Sequence, residues 1–167
     1  MTDTDTTLTT LLQSAAGLWI PLLHAAATLV MTGVIITCQF VHYPLLAKVH
    51  PENFHDYERA HMRRITPIVA PAMLIEAVTA AALALAPPAP IAERGLAWLL
   101  YAGLALVLVN AVSTATLQGP IHNRLARTGH NPALIRRLVS TNLIRTAAWS
   151  VRGALALAIL ALAASPT

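Results

Sequence analysis

Charge is scarce in this chain. Of its 167 residues only 11% are Asp, Glu, Lys or Arg, less than half the quarter or so found in soluble domains. With 56% of the chain hydrophobic, that is too little charge to cover a water-facing surface. Cysteine is scarcer still: Cys38 stands alone, which excludes a disulfide framework. No H-x-x-x-H or H-E-x-x-H pair sets two metal ligands on one helix face. No internal repeat, low-complexity tail or second domain is recognisable. The flank before the first apolar run carries Asp3 and Asp5 but no basic residue, so that run reads as a span and not as a cleavable signal peptide.

What the chain does have is long apolar runs. Mean hydropathy is +0.63, and four segments approach the roughly 20 residues that cross a bilayer: about 17–41, 65–86, 95–117 and 143–164. The fold class expected is all-α, an integral membrane antiparallel four-helix bundle forming one transmembrane domain over 1–167. Residues 86–95 make a tight connection, since Pro87, Pro88 and Pro90 suit no helix interior. The other two connections, 50–65 and 118–142, are longer and charged. Asn131 followed by Pro132 is a cap and first-turn pair. From there one helix of about 33 residues is expected, with an amphipathic extension over about 132–142 standing out of the membrane.

The basic residues are one-sided. Call side B the side reached by the end of the first span. Lys48, Arg59, Arg63, Arg64, Arg124, Arg127, Arg136, Arg137 and Arg145 lie there, Arg94 lies opposite on side A, and Arg152 is inside the fourth span. The positive-inside rule makes side B cytoplasmic and puts both termini outside, in a cell membrane, the inner one in a bacterium. An isoelectric point near 10.0 is then explained by topology and anionic headgroups, with no nucleic acid required. Arg63, Arg127, Arg136 and Arg137 read as headgroup anchors, and His50, His55 and His130 as solvated loop residues.

At about 100° per residue the polar residues of each span share one face. His24, Thr28, Gln39 and His42 do so on the first, and His61 and Glu76 on the second. Asn110, Ser113, Thr114 and Gln118 follow i, i+3, i+4, i+8 on the third; Asn142, Arg145, Trp149 and Arg152 fall within an arc of about 80° on the fourth. Nearly all are concentrated toward side B, whereas His24 sits apart near side A, where a hydrogen bond to a carbonyl is expected. Tyr43 points about 100° away from His42 and reads as an interface residue. Glu76 and Arg152 are ionisable groups in hydrocarbon, either a mutual ion pair fixing spans two and four or the charged floor of a cavity. His42, His61 and His122 meet at one depth. A metal-free polar pocket is the preferred reading there, with a haem or transition metal on those three histidines as the alternative.

The first span's MTGVIITCQFVHYPLL (31–46), PIHNRL (120–125) after the third, and NLIRT (142–146) in the fourth resemble the DUF1772 family, small four-span membrane proteins that include the anthrone oxygenases. Asn142 stands where that family has a histidine, while Arg145 and Thr146 match. The resemblance implies an enzyme acting on a lipophilic aromatic or quinone-like small molecule. Base catalysis would fall to His42 or His61, and anion stabilisation to Arg64, Arg145 and Arg152. Gln39, Glu76, Asn110, Gln118, His122 and Asn142 would bind the substrate, and Trp149 would stack on it. It implies no cofactor. Rival readings are a haem or metal redox protein and a non-catalytic subunit, a homo-oligomer or a membrane partner packed through the small residues of 153–164.

Overall fold

In a computed structural model of the chain the backbone is described for residues 3–165 and the side chains for residues 17–165. Seven α-helices are present: α1 Asp3–Thr37, α2 Tyr43–Leu46, α3 Pro51–Leu85, α4 Ala89–Glu93, α5 Trp98–Ser113, α6 Gly119–Thr128 and α7 Pro132–Ala163. Two π-helical segments, Cys38–His42 and Thr114–Gln118, join α1 to α2 and α5 to α6. The described residues contain no strand. Four rods result, Gly17–Leu46, Pro51–Leu85, Trp98–Thr128 and Pro132–Ala163, each long and apolar enough to cross a membrane. α1 packs on α3 and α7, and α5 closes the ring against the same two helices. The fold is a helical bundle of four membrane-crossing rods.

Each rod outruns the apolar segment that announced it. The second begins at Pro51, so the expected connection 50–65 is helical from its second residue onward. Extended backbone at His50 and proline in the first turn start it, and fully buried Phe54 and Glu58 anchor it. α3 then continues through Pro67 and Pro71. The third rod extends to Thr128 and stops at Gly129, whose φ of 78° is left-handed backbone that favours glycine. A Cβ there would lie 2.8 Å from His55 Nε2. The fourth starts where expected, because the Asn131 side chain accepts hydrogen bonds from the amides of Ala133 and Leu134. Within the tight connection 86–95 the short α4 forms after all, seating Ile91 against Leu83, Leu100 and Ile159.

Both π segments share a cause. A proline at position i cannot donate to the carbonyl of i−4, and its ring crowds that carbonyl. Just before Pro44 the amide of Tyr43 bonds to the carbonyl of Cys38; just before Pro120 the amide of Gly119 bonds to that of Thr114. Both are i to i−5 bonds of a widened turn. A Cβ at Gly119 would come within 3.2 Å of the Thr114 carbonyl, so glycine eases the second of these turns, while the first accommodates Tyr43. One residue inserted into a turn sets everything after it back by roughly 100°. Tyr43 therefore turns into the core at 4% exposure, which corrects its assignment to the interface. His42 is displaced to a half-buried position.

Two of the loop histidines also change character. His55 Nδ1 is 3.2 Å from the Ala126 carbonyl. His130 lies edge-on to Phe54, with its Nε2 3.4 Å from the Ala47 carbonyl. Both bind rod ends together on side B, while His50 is exposed, as expected. Gly153 is spent inside the bundle: a Cβ there would lie 3.1 Å from Thr32 Oγ1. Its smallness serves contact with the first rod.

Candidate functional site

Three elements meet on side B. Glu58, on α3 one turn beyond Phe54, is fully buried. α6 brings His122 over it, with Nδ1 2.5 Å from Glu58 Oε1. The π-turned Tyr43 closes from the other side, its hydroxyl 3.1 Å from His122 Nε2. An ionised carboxylate only accepts. With Glu58 ionised and the ring neutral, Nδ1–H donates to Glu58, Nε2 is the acceptor and the Tyr43 O–H donates to it. Carboxylate, imidazole and phenol thus form one ordered chain, the same logic by which an acid orients a histidine toward a hydroxyl nucleophile in hydrolases.

Beside this chain the aromatic rings form a ladder. Tyr57 stacks on His42 at 6.1 Å between centroids, His42 on His61 at 4.3 Å, and His61 meets His122 at 5.3 Å. So the structure does bring His42, His61 and His122 together. Successive histidine rings lie at 28° and 34° to one another, arranged in series and not converging on one point. Among the described residues no three His, Cys, Asp or Glu side chains are placed to hold a metal ion.

The ladder separates two spaces. One is a half-open cavity of about 160 Å³, lined by Tyr43, His61, His122, Gln118, Thr114 and Arg145, with Val34, Ile35, Cys38, Met62, Ile65, Thr66, Val69 and Gly119 completing the wall. It is small beside the 300–1,000 Å³ of most drug-sized sites, so it takes the acidic ring of a ligand whose further rings extend past its mouth. Outside lies a groove of about 260 Å³, formed by His42, Tyr57, Ala60, His61, Arg64, Ile65 and Ile68. Arg145 is buried, with its Nη1 3.3 Å from Asn142 Oδ1 and its Nε without a partner. Asn142 Nδ2 donates to Gln39 Oε1 at 2.9 Å, and Gln39 Nε2 donates to the Val139 carbonyl at 3.3 Å. Gln118 Nε2 donates to Thr141 Oγ1 at 3.2 Å, leaving its Oε1 unpartnered.

A second polar node lies midway along the bundle. Arg152 donates from Nε to Glu76 and from Nη1 to the Gly103 carbonyl, and Thr28 donates to Glu76 Oε1 at 3.1 Å. Glu76 and Arg152 are each 1% exposed. His24 Nδ1 lies 3.0 Å from Thr79 Oγ1; because Thr79 gives its own proton to the Ile75 carbonyl, His24 is the donor. Its ring thus meets the Thr79 hydroxyl and the Glu76 backbone carbonyl across the helix crossing, a carbonyl contact of the kind the sequence suggested, in polar company that it did not.

The predicted residues therefore divide. Arg145, Gln118, His61 and His122 line the cavity, His42 and Arg64 the groove, and Gln39 and Asn142 the adjoining network. Arg64 is exposed, away from the buried cluster. Glu76 and Arg152 form the ion pair, one of the two readings their burial allowed. Trp149 lines neither space. Its ring packs with Met31, Ile35 and Ala72 and sits 5.8 Å from the Arg152 guanidinium carbon. Asn110 is 1% exposed, with both side-chain polar atoms unpartnered, and it too lies outside these two spaces.

Sequence reasoning missed Tyr43 and Glu58. Glu58 carried a signal: Phe54, Glu58, His61 and Ile65 follow i, i+4, i+7, i+11, one face of a helix, inside a segment read as a connection. For Tyr43 the signal was Pro44. The chain matches no protein-family model, no curated protein and no solved structure.

Proposed function

We propose that this membrane protein binds a lipophilic, weakly acidic small molecule, a phenol or enol, in the side-B cavity and removes its proton. Side B faces the cytoplasm. The observation that carries the reading is the Glu58–His122–Tyr43 chain ending in a cavity that Arg145 also lines. The ligand's proton passes to the Tyr43 oxygen as the Tyr43 proton passes to His122 Nε2. The resulting imidazolium is held by Glu58, and the ligand anion by the Arg145 guanidinium. This moves the base from His42 or His61 to His122, the only one of the three with a carboxylate on its far nitrogen among the described residues. The likeness to the DUF1772 anthrone oxygenases takes the reading one step further. Loss of the acidic C–H proton of an anthrone leaves an enolate that dioxygen attacks.

2-Naphthol tests the proton step, because its absorption separates phenol from phenolate. Added to the protein in lipid nanodiscs, it should bind saturably and show the phenolate band at a pH where free naphthol is neutral. Arg145→Gln and His122→Phe should each abolish that band. Saturable binding with the band intact in both variants refutes the assignment.

A further inference from the structure

The outer groove and the inner cavity share two wall residues, His61 and Ile65. These lie one turn apart on α3, so a partition a single side chain deep separates the two spaces. Each space has its own cation, exposed Arg64 in the groove and buried Arg145 in the cavity.

The groove is also graded. Apart from His42, its walls come from one face of α3, with Tyr57, His61, Arg64 and Ile68 at i, i+4, i+7 and i+11. Over the roughly 16 Å of that stretch the lining passes from Tyr57 and His61 to Arg64, Ile65 and Ile68. His42 Nε2 is shut from solvent in this wall and has no hydrogen-bond partner. A groove that sets one cation beside two aliphatic side chains and stacked rings matches an organic anion carried on an apolar body.

A neutral phenol or enol can reach the cavity through the bilayer, but its conjugate base pays heavily to enter hydrocarbon. The geometry points to the Arg64 groove as the portal through which the ionised ligand exchanges between the cavity and side-B water, with His61 and Ile65 as the partition it passes. This rests on the cavity reading above and adds a second, external site with its own cation.

2-Naphthoate, an aromatic carboxylate that is anionic at neutral pH, is the probe. Its binding to the protein in zwitterionic nanodiscs would be followed by stopped-flow fluorescence. Arg64→Gln should slow association about tenfold, the low end of electrostatic steering, and leave dissociation unchanged. Ile65→Trp should slow both rates together and Ile65→Ala should speed both, since a partition alters passage in each direction. Arg145→Gln should speed dissociation.

If the Arg64 and Ile65 variants keep wild-type rates while Arg145→Gln weakens binding, the portal is overturned and the cavity stands. If Arg64→Gln slows association but Arg145→Gln changes nothing, the probe stops in the groove, and both passage and cavity are overturned. Absence of saturable binding by the wild type overturns both as well. Melting temperatures of the four variants show whether each has kept its fold.

Discussion

Glu76 and Glu58 are both buried carboxylates, each held by a cationic or potentially cationic partner on another rod, yet their surroundings differ. Around Glu76 the contacts point inward from four directions: Arg152 from the fourth rod, Thr28 from the first, the Gly103 carbonyl beyond Arg152 from the third, and Thr79 with His24 one turn away. None of the cavities described above touches Glu76 or Arg152. Around Glu58 one oxygen holds His122 and the other has no partner, and the chain it begins ends at an open space. Arg152 Nη2 is left without a partner, yet it faces neither space; charge walled off in this way ties rods together, whereas charge connected through a titratable ring to a cavity is arranged to move a proton. Breaking each node separately should separate these roles.

The largest effect on stability is expected at the middle node. Arg152→Met leaves Glu76 as a buried carboxylate without its counter-charge, and removing one partner of a buried pair typically costs about 3–5 kcal/mol. The double variant Glu76→Gln, Arg152→Met should recover most of that, because no uncompensated charge remains. Reversible unfolding in mixed micelles measures both. Equal destabilisation in the single and double variants would show that the pair does not act as a unit, and the contrast between the nodes would lose its first term.

Glu58→Ala should do less to the fold and more to the chemistry. It strips His122 Nδ1 of its acceptor, a loss of about 1–3 kcal/mol for a buried polar group left unpaired. It also frees the ring to change tautomer, which 15N chemical shifts of labelled histidine would report. Glu58→Gln keeps an acceptor oxygen and should retain most of the stability while losing the charge that favours an imidazolium. If the His122 nitrogen shifts are the same in wild type and both variants, Glu58 does not orient the ring.

How much of this was open to reading from the chain alone follows the physics of each feature. Rod number and the start of α7 were legible, because bilayer thickness fixes the first and the Asn131–Pro132 cap fixes the second. The stripe argument also placed Gln39 with Asn142 and Arg145 on facing sides of adjacent rods, where hydrogen bonds now connect them. It failed at Tyr43 because a constant 100° step cannot carry through a π turn, and at Glu58 because a carboxylate amid Asp56 and Arg59 looks like solvated charge. Both failures have the same root. A local departure, whether one extra residue in a turn or a helix beginning fourteen residues before its apolar run, redirects side chains that the regular pattern would point elsewhere.

Tyr43→Phe is the smallest change and the sharpest test of the contrast. The ring fills the same space beside Cys38, Leu46 and Ile121, so packing is kept, and the loss is the hydrogen bond to His122, about 0.5–1.5 kcal/mol, together with the contact that Arg145 makes to the same oxygen. Thr28→Val at the middle node likewise removes one hydroxyl at nearly constant shape, and its cost should be of the same order. The two should then differ only in function. Without the phenol, the path from cavity to His122 Nε2 has no carrier, and after mixing the 2-naphthol phenolate band should form at least about a hundredfold more slowly in Tyr43→Phe, the low end of what a positioned proton-transfer group contributes. Thr28→Val should leave that rate at its wild-type value. A band that forms at the wild-type rate in Tyr43→Phe would mean that His122 takes the proton directly, narrowing the working site to His122, Glu58 and Arg145.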